Sequence, residues 1–179
     1  MDQSGEDVLS SPFHSVGRDR WAAAGAAPGG GVFEVAITEE PIDLNAIVCR
    51  VAHPHVGFPS ANLIGARVLF SGEIRGSNHG LEITRLEYTA HKLLAEKHMA
   101  DVLREAQEKF PLIGAVCIHR LGMLAVSECA VAVLTCGRHR RETYAANQYI
   151  INRVKAETPI WKREFFADGT NKWGENCTH

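Results

Sequence analysis

Apolar and polar positions recur along this chain with two periods, one near two residues and one near three and a half. Residues 32–37 (Val-Phe-Glu-Val-Ala-Ile) alternate well enough to predict a strand. Pro41 opens a short helix, with Asp43 as its cap and Leu44, Ile47, Val48 and Val51 on one face. Residues 53–60 read as a loop. Residues 66–74 form a strand, and a turn runs through Arg75-Gly76-Ser77-Asn78-His79-Gly80. Residues 81–88 return as a second strand, so the pair reads as a hairpin with a longer loop. The clearest helix covers 91–110. Leu94, His98, Val102, Ala106 and Phe110 make its stripe, Met99 and Leu103 widen it, and Pro111 ends it. Residues 113–119 and 128–136 are strand-like, with Gly122 in the connection. A helix then runs from about 140 to 156, with Ala146, Tyr149, Ile150 and Val154 inward. A short last piece follows Pro159. The order β-α-β-β-α-β-β-α predicts an α+β fold with a largely antiparallel sheet.

The chain has 179 residues, which suits one domain. Residues 1–31, which include the run WAAAGAAPGGG, carry no pattern and are expected to be a flexible N-terminal tail, leaving 32–179 as the single folded domain. Apolar residues make up 45% of the chain, enough for a core. The formal charge of -2 argues against a general nucleic-acid coat, so any basic site must be local. No apolar run reaches the roughly 18 residues that span a bilayer. The start, Met1-Asp2-Gln3-Ser4-Gly5-Glu6-Asp7, is acidic where a secretory signal is basic. There are five cysteines, an odd number, and no Cys-x-x-Cys spacing. Cys117, Cys129 and Cys136 fall in apolar runs as small hydrophobes. The expectation is a cytoplasmic protein with free thiols. His53 and His55 flank a proline without a carboxylate or cysteine cluster, and no residue cluster calls for a metal or cofactor.

Three groups of residues point to chemistry. Lys155 and Lys162 stand seven residues apart, one in the last turn of a helix and one just beyond the corner Pro159-Ile160-Trp161. Two solvated lysines favoured by a helix C-terminus would account for the charge alone. Pro159 fixes a bend, however, and Trp161 is expected to wedge the turn onto the core. A fixed corner can aim two cations at one anion, and lysine as a residue type serves as acid, base or nucleophile. The second group is Arg138-His139-Arg140-Arg141, at a helix start where backbone N–H groups already attract anions. Positive charge there opposes the macrodipole, which hints at a bound anion. The third is Arg75, among Gly72, Gly76 and Gly80, at the end of a strand. His119-Arg120-Leu121-Gly122 reads as a strand end and turn. There is no P-loop, Gly-x-Gly-x-x-Gly or Gly-x-Ser-x-Gly.

Together these pieces resemble one family, the large catalytic subunit of molybdopterin synthase. The matching stretches are Phe70-Ser71-Gly72-Glu73-Ile74-Arg75 with Asn78 and Gly80, Leu86-Glu87-Tyr88, His119-Arg120-Leu121-Gly122, His139-Arg140, and Lys155 through Pro159-Ile160-Trp161-Lys162-Arg163-Glu164. Glu39-Glu40-Pro41-Ile42 is similar to the family's opening. The resemblance spans about residues 33–173. Ser77 stands where the family usually has a histidine, residues 57–64 look like an insertion, and 1–31 have no counterpart.

The resemblance implies an α/β hammerhead-like fold and a cytoplasmic sulfurtransferase of molybdenum cofactor biosynthesis. It implies a homodimer that binds two copies of a small ubiquitin-like sulfur carrier, a heterotetramer in all. The carrier's C-terminal Gly-Gly thiocarboxylate enters the pocket, and two sulfurs pass to cyclic pyranopterin monophosphate to make the molybdopterin dithiolene. Lys155 and Lys162 would be catalytic. Arg75, His139 and Arg140 would hold the substrate, with Arg163 and Glu164 nearby. Both reactants are anions, which several cations in a shielded site would bring together.

Arg140 and Lys155 lie 15 residues apart on one expected helix, roughly 22 Å at about 1.5 Å per residue. If both serve one small ligand, they come from different subunits. Two other readings compete. A non-catalytic module gripping a ubiquitin-like tail would not need paired cations. An anion- or RNA-binding domain built on Arg138 to Arg141 conflicts with the net acidity and the lack of aromatic residues interleaved with those arginines.

Overall fold

The computed structural model describes residues 22–26, 31–52 and 61–174. His53, His55 and residues 57–60 of the expected insertion at 57–64 therefore lie outside the described residues, as do 1–21.

Ten strands and three helices are described, in two sheets. The first sheet runs β1 (Ala22–Ala26), β2 (Val32–Thr38), β6 (Leu112–Arg120), β8 (Cys129–Gly137), β3 (Ala66–Glu73) across its width. Only β2 and β6 pair in parallel; the other neighbours are antiparallel. The second sheet runs β10 (Asn171–Gly174), β9 (Ile160–Phe166), β5 (Leu81–Ala90), β4 (Ser77–Asn78), and β7 (Gly122–Ala125) also pairs with β5. The expected α+β class with largely antiparallel sheets is what forms.

The continuous apolar runs of β6 and β8 follow from burial on both faces. On one face, Val35, Cys117 and Val133 pack beneath α2 (Lys92–Lys109) and α3 (Arg140–Glu157). On the other, Ala36, Val116 and Leu134 pack with Ile47 of α1 (Leu44–Ala52). Asp43 caps α1 as expected, its Oδ1 accepting from the N–H groups of Asn45 and Ala46 at 2.9 and 3.0 Å. A third cluster, with Ile74, Ile83, Leu86 and Leu124, joins the second sheet to the end of the first.

Four expectations need correction. Residues 66–74 and 81–88 do not form a hairpin: β3 pairs with β8 and β5 with β9, in different sheets. The local hairpin is β4 with β5, whose turn puts His79 and Gly80 both at positive φ, 49° and 80°. The stripe of α2 is turned from the expected one: Ala95, Met99, Val102, Leu103 and Ala106 are buried, while Leu94 is exposed. A strand, β1, lies within the stretch read as a tail. It pairs with the edge of β2 through backbone hydrogen bonds, which leave no apolar alternation to read. The short last piece is a two-stranded extension of the second sheet, β9 and β10.

Candidate functional site

A cleft of about 160 Å³ opens where the two sheets meet the C-terminal end of α3. The sequence explains why chain elements converge there. Thr158 caps α3 in extended conformation because it precedes Pro159. Its N–H still bonds to the Val154 carbonyl at 3.2 Å, and by Ile160 the chain is already a strand. Lys155, in the last helical turn, and Lys162, third residue of β9, thus face one space across a sharp corner.

The alternation of β9 decides which side chains enter. Ile160, Lys162 and Glu164 line the cleft. Trp161 and Arg163 point to the other side. Trp161 is half exposed, so it does not wedge the corner onto the core as expected. Arg163 donates from Nε to Asn171 Oδ1 at 2.9 Å and lies over the Phe165 and Trp173 rings. The stem of Lys162 runs across Gly174, its antiparallel partner on β10, where a Cβ would sit 2.8 Å from Lys162 Cγ.

Glu164 anchors the cationic side of the cleft. It is 6% exposed. Lys162 Nζ lies 3.1 Å from its Oε1, and Asn78 Nδ2 donates to both carboxylate oxygens, at 3.1 and 3.2 Å. Burial pushes its pKa up, but the hydrogen bonds from Asn78 and Lys162 and the charges of Lys162 and His79 outweigh it. The carboxyl is therefore held below the usual range and stays charged. Lys155 is held differently: its ammonium sits 5.6 Å from the centre of the Phe70 ring. Arg75 enters from the β3–β4 connection.

The cleft thus gathers Arg75, Lys155, Lys162 and Glu164 from three parts of the chain. His139 and Arg140 are not among its lining residues. Both are exposed at the start of α3, and His139 is its N-cap without a side-chain capping bond. Lys155 is at the far end of the same 18-residue helix.

Sequence reasoning missed two residues in the cleft wall. Asn78 stands in the turn and among the residues of the family resemblance, but its bond to Glu164, 86 residues away, has no local signal. His119 was read as a strand end. It is 7% exposed, lines the cleft, and meets the Tyr88 ring edge-on with centroids 5.1 Å apart. Burial lowers its pKa to about 4; its bond to the Arg120 carbonyl opposes this, and the charge of Lys155 adds a smaller lowering. Its signal was available: it is a polar side chain near the end of the otherwise apolar run LIGAVCIHR.

The profile of the MoaE protein family matches residues 37–157 of the chain. The chain belongs to the MoaE family. A molybdopterin synthase catalytic subunit from Thermoplasma volcanium is 34% identical to this MoaE chain over 139 residues, 78% of the chain and 96% of the relative. One from Staphylococcus epidermidis is 40% identical over 110 residues, 62% of the chain and 73% of the relative. Among solved structures, molybdopterin synthase from Staphylococcus aureus superposes with a TM-score of 0.69 at 34% identity, covering 78% of this chain and 95% of that one. The fold is therefore that of MoaE proteins. The family match ends five residues before Lys162, so the place of Lys162 in the site rests on the geometry and on the motif around it.

Proposed function

We propose that this MoaE protein is the catalytic subunit of a molybdopterin synthase, acting as a sulfurtransferase in molybdenum cofactor biosynthesis. It takes sulfur from the C-terminal thiocarboxylate of a small ubiquitin-like carrier and delivers it to cyclic pyranopterin monophosphate. The observation that carries the reading is the convergence of Arg75, Lys155 and Lys162, from three separate elements, on one cleft. Two anionic reactants need such a set of cations, and a site shielded from water strengthens each contact.

The two lysines have different surroundings, which supports different roles. Lys162 is tied to Glu164 and, through it, to Asn78. Its charge is fixed in place and partly compensated, which suits it to stabilise charge developing on the pterin. Lys155, in the cleft wall, lies over the Phe70 ring. It can meet the thiocarboxylate and give or take a proton as sulfur leaves. Arg75 offers a planar fork of donors to the cyclic phosphate. Arg163 supports the outer face of β9 rather than the substrate.

His139 and Arg140 enter the site from a second copy of the chain. This reading is supported by their exposure and by the length of the helix that separates them from Lys155. The working unit would then be a homodimer carrying two sulfur carriers, a heterotetramer in the cytoplasm.

The test is turnover. Purified chain, thiocarboxylated carrier and cyclic pyranopterin monophosphate are combined, and molybdopterin is followed. The wild type is expected to form product, and Lys155→Ala to be slower by about 10²-fold or more, as for removal of a group stabilising the transition state. A folded wild-type chain that binds the carrier and forms no product would instead mark a module that only grips the tail.

A further inference from the structure

One polar group of the cleft has no part in the scheme above. His119 stands next to last on β6, opposite Val131 of β8. Two residues earlier, Cys117 packs in the core beneath α2 and α3, so the pleat directs His119 to the same side. Its Nδ1 lies 2.9 Å from the carbonyl oxygen of Arg120. A carbonyl only accepts, so Nδ1 carries the ring proton and Nε2 keeps its lone pair. The carbonyl itself is well placed, because the Arg120 guanidinium is tied to Glu128 Oε1 at 3.0 Å and to the Glu39 carbonyl at 3.3 Å. The edge-on Tyr88 ring fixes the imidazole plane from another side. Burial keeps the ring neutral.

The cleft therefore offers an oriented, neutral acceptor near a cation. Its carboxylates are already engaged: Glu164 with Asn78 and Lys162, and Glu73 with the Ser71 hydroxyl at 3.1 Å. A group that satisfies both His119 and Lys155 presents an N–H or O–H donor close to a negative charge. The end of a peptide chain has this arrangement, with the amide N–H of its last residue one carbon away from the terminal carboxylate or thiocarboxylate.

We propose that His119 Nε2 accepts a hydrogen bond from the amide N–H of the carrier's terminal glycine while Lys155 holds the thiocarboxylate beside it. The inference rests on the carrier-tail reading above and adds a residue to it. His119 is a tail-binding residue that sets where the reacting carbonyl lies.

Calorimetric titration of the full chain with three carriers tests this. One ends in Gly-Gly carboxylate, one in glycine followed by N-methylglycine, and one lacks both glycines. N-methylation is expected to weaken binding to the wild type by about 5- to 10-fold, the range for one neutral hydrogen bond. His119→Leu should lose a similar factor with the Gly-Gly tail and little more on N-methylation. His119→Gln, which keeps an acceptor, should still discriminate between the two tails. An N-methylation cost as large in His119→Leu as in the wild type would overturn the proposal. A second measurement needs no variant: the Nε2 nitrogen resonance of His119 should shift with the Gly-Gly carrier and not with the N-methylated one. A shift produced by cyclic pyranopterin monophosphate alone, and not by the carrier, would also overturn it. If removing both glycines leaves binding unchanged, the carrier-tail reading itself fails, and this inference with it. A normal truncation effect with additive N-methylation costs sinks this inference alone.

Discussion

At the scale of single residues, two buried polar groups of the cleft, Glu164 and His119, have charge states set by their surroundings. His119 gives the clearest consequence for stability. Its pKa falls from 6.5 to about 4 on folding. Below pH 6.5 the unfolded chain takes up a proton that the folded chain refuses. Stability therefore rises with pH across this window: it is fully present above 6.5 and is lost as pH falls towards 4, by about 3 kcal/mol in all. Between pH 7 and pH 5 the loss from this one group should be about 2 kcal/mol. Urea unfolding of the wild type and His119→Gln at the two pH values measures it, and the variant should lose less by that amount. An equal loss in both would mean that the ring is protonated in the folded protein.

The residue scale is also where the sequence was most and least readable. Lys155, Lys162, Arg75 and Glu164 were legible because a proline-bounded motif concentrates them in a short stretch, or in a glycine-rich turn. Asn78 and His119 were not, because their partners are distant in sequence or are backbone atoms. Trp161 was misjudged: its size suggested burial, yet strand alternation turns it outward once Ile160, Lys162 and Glu164 occupy the inner face.

At the scale of elements, the site depends on how β9 and α3 are held. Buried Asn147 of α3 donates to the Val68 and Val133 carbonyls, at 3.0 and 2.9 Å, and so fixes the helix to β3 and β8. Strand β10 shapes the other lysine. Gly174 lets the stem of Lys162 cross it, and any side chain there presses on Cγ and Cδ. Gly174→Ala should therefore move the Lys162 ammonium, lowering kcat by about 10-fold while the thermal midpoint changes little, since small misplacements at a reacting centre are costly. Unchanged kcat would show that Lys162 reaches the cleft by another route. Helix and strand types were mostly legible from periodicity. Pairing was not: residues 66–74 and 81–88 looked like a hairpin because they are adjacent in sequence, but each finds a better apolar partner in a different sheet. The stripe of α2 drifted because Leu94 belongs to the exposed first turn and Ala95 to the core.

At the scale of the whole molecule, one copy gathers three cations in its cleft and leaves His139 and Arg140 exposed at the other end of α3. Sequence alone foresaw this division, because helix length follows from residue count. The central claim is that sulfur transfer takes place in a cleft completed by a second copy, and one measurement tests it most directly. Lys155→Ala and Arg140→Ala chains are mixed in equal amounts under conditions that exchange subunits, and molybdopterin formation is measured. Each heterodimer then carries one site with both lesions and one with neither. Activity should return to about a quarter of the wild-type value from two nearly inactive parents, given random pairing in a symmetric dimer. Verified heterodimers that stay as inactive as their parents would place Arg140 and Lys155 in the same site of one chain, or place Arg140 outside the reaction, and would contradict the account.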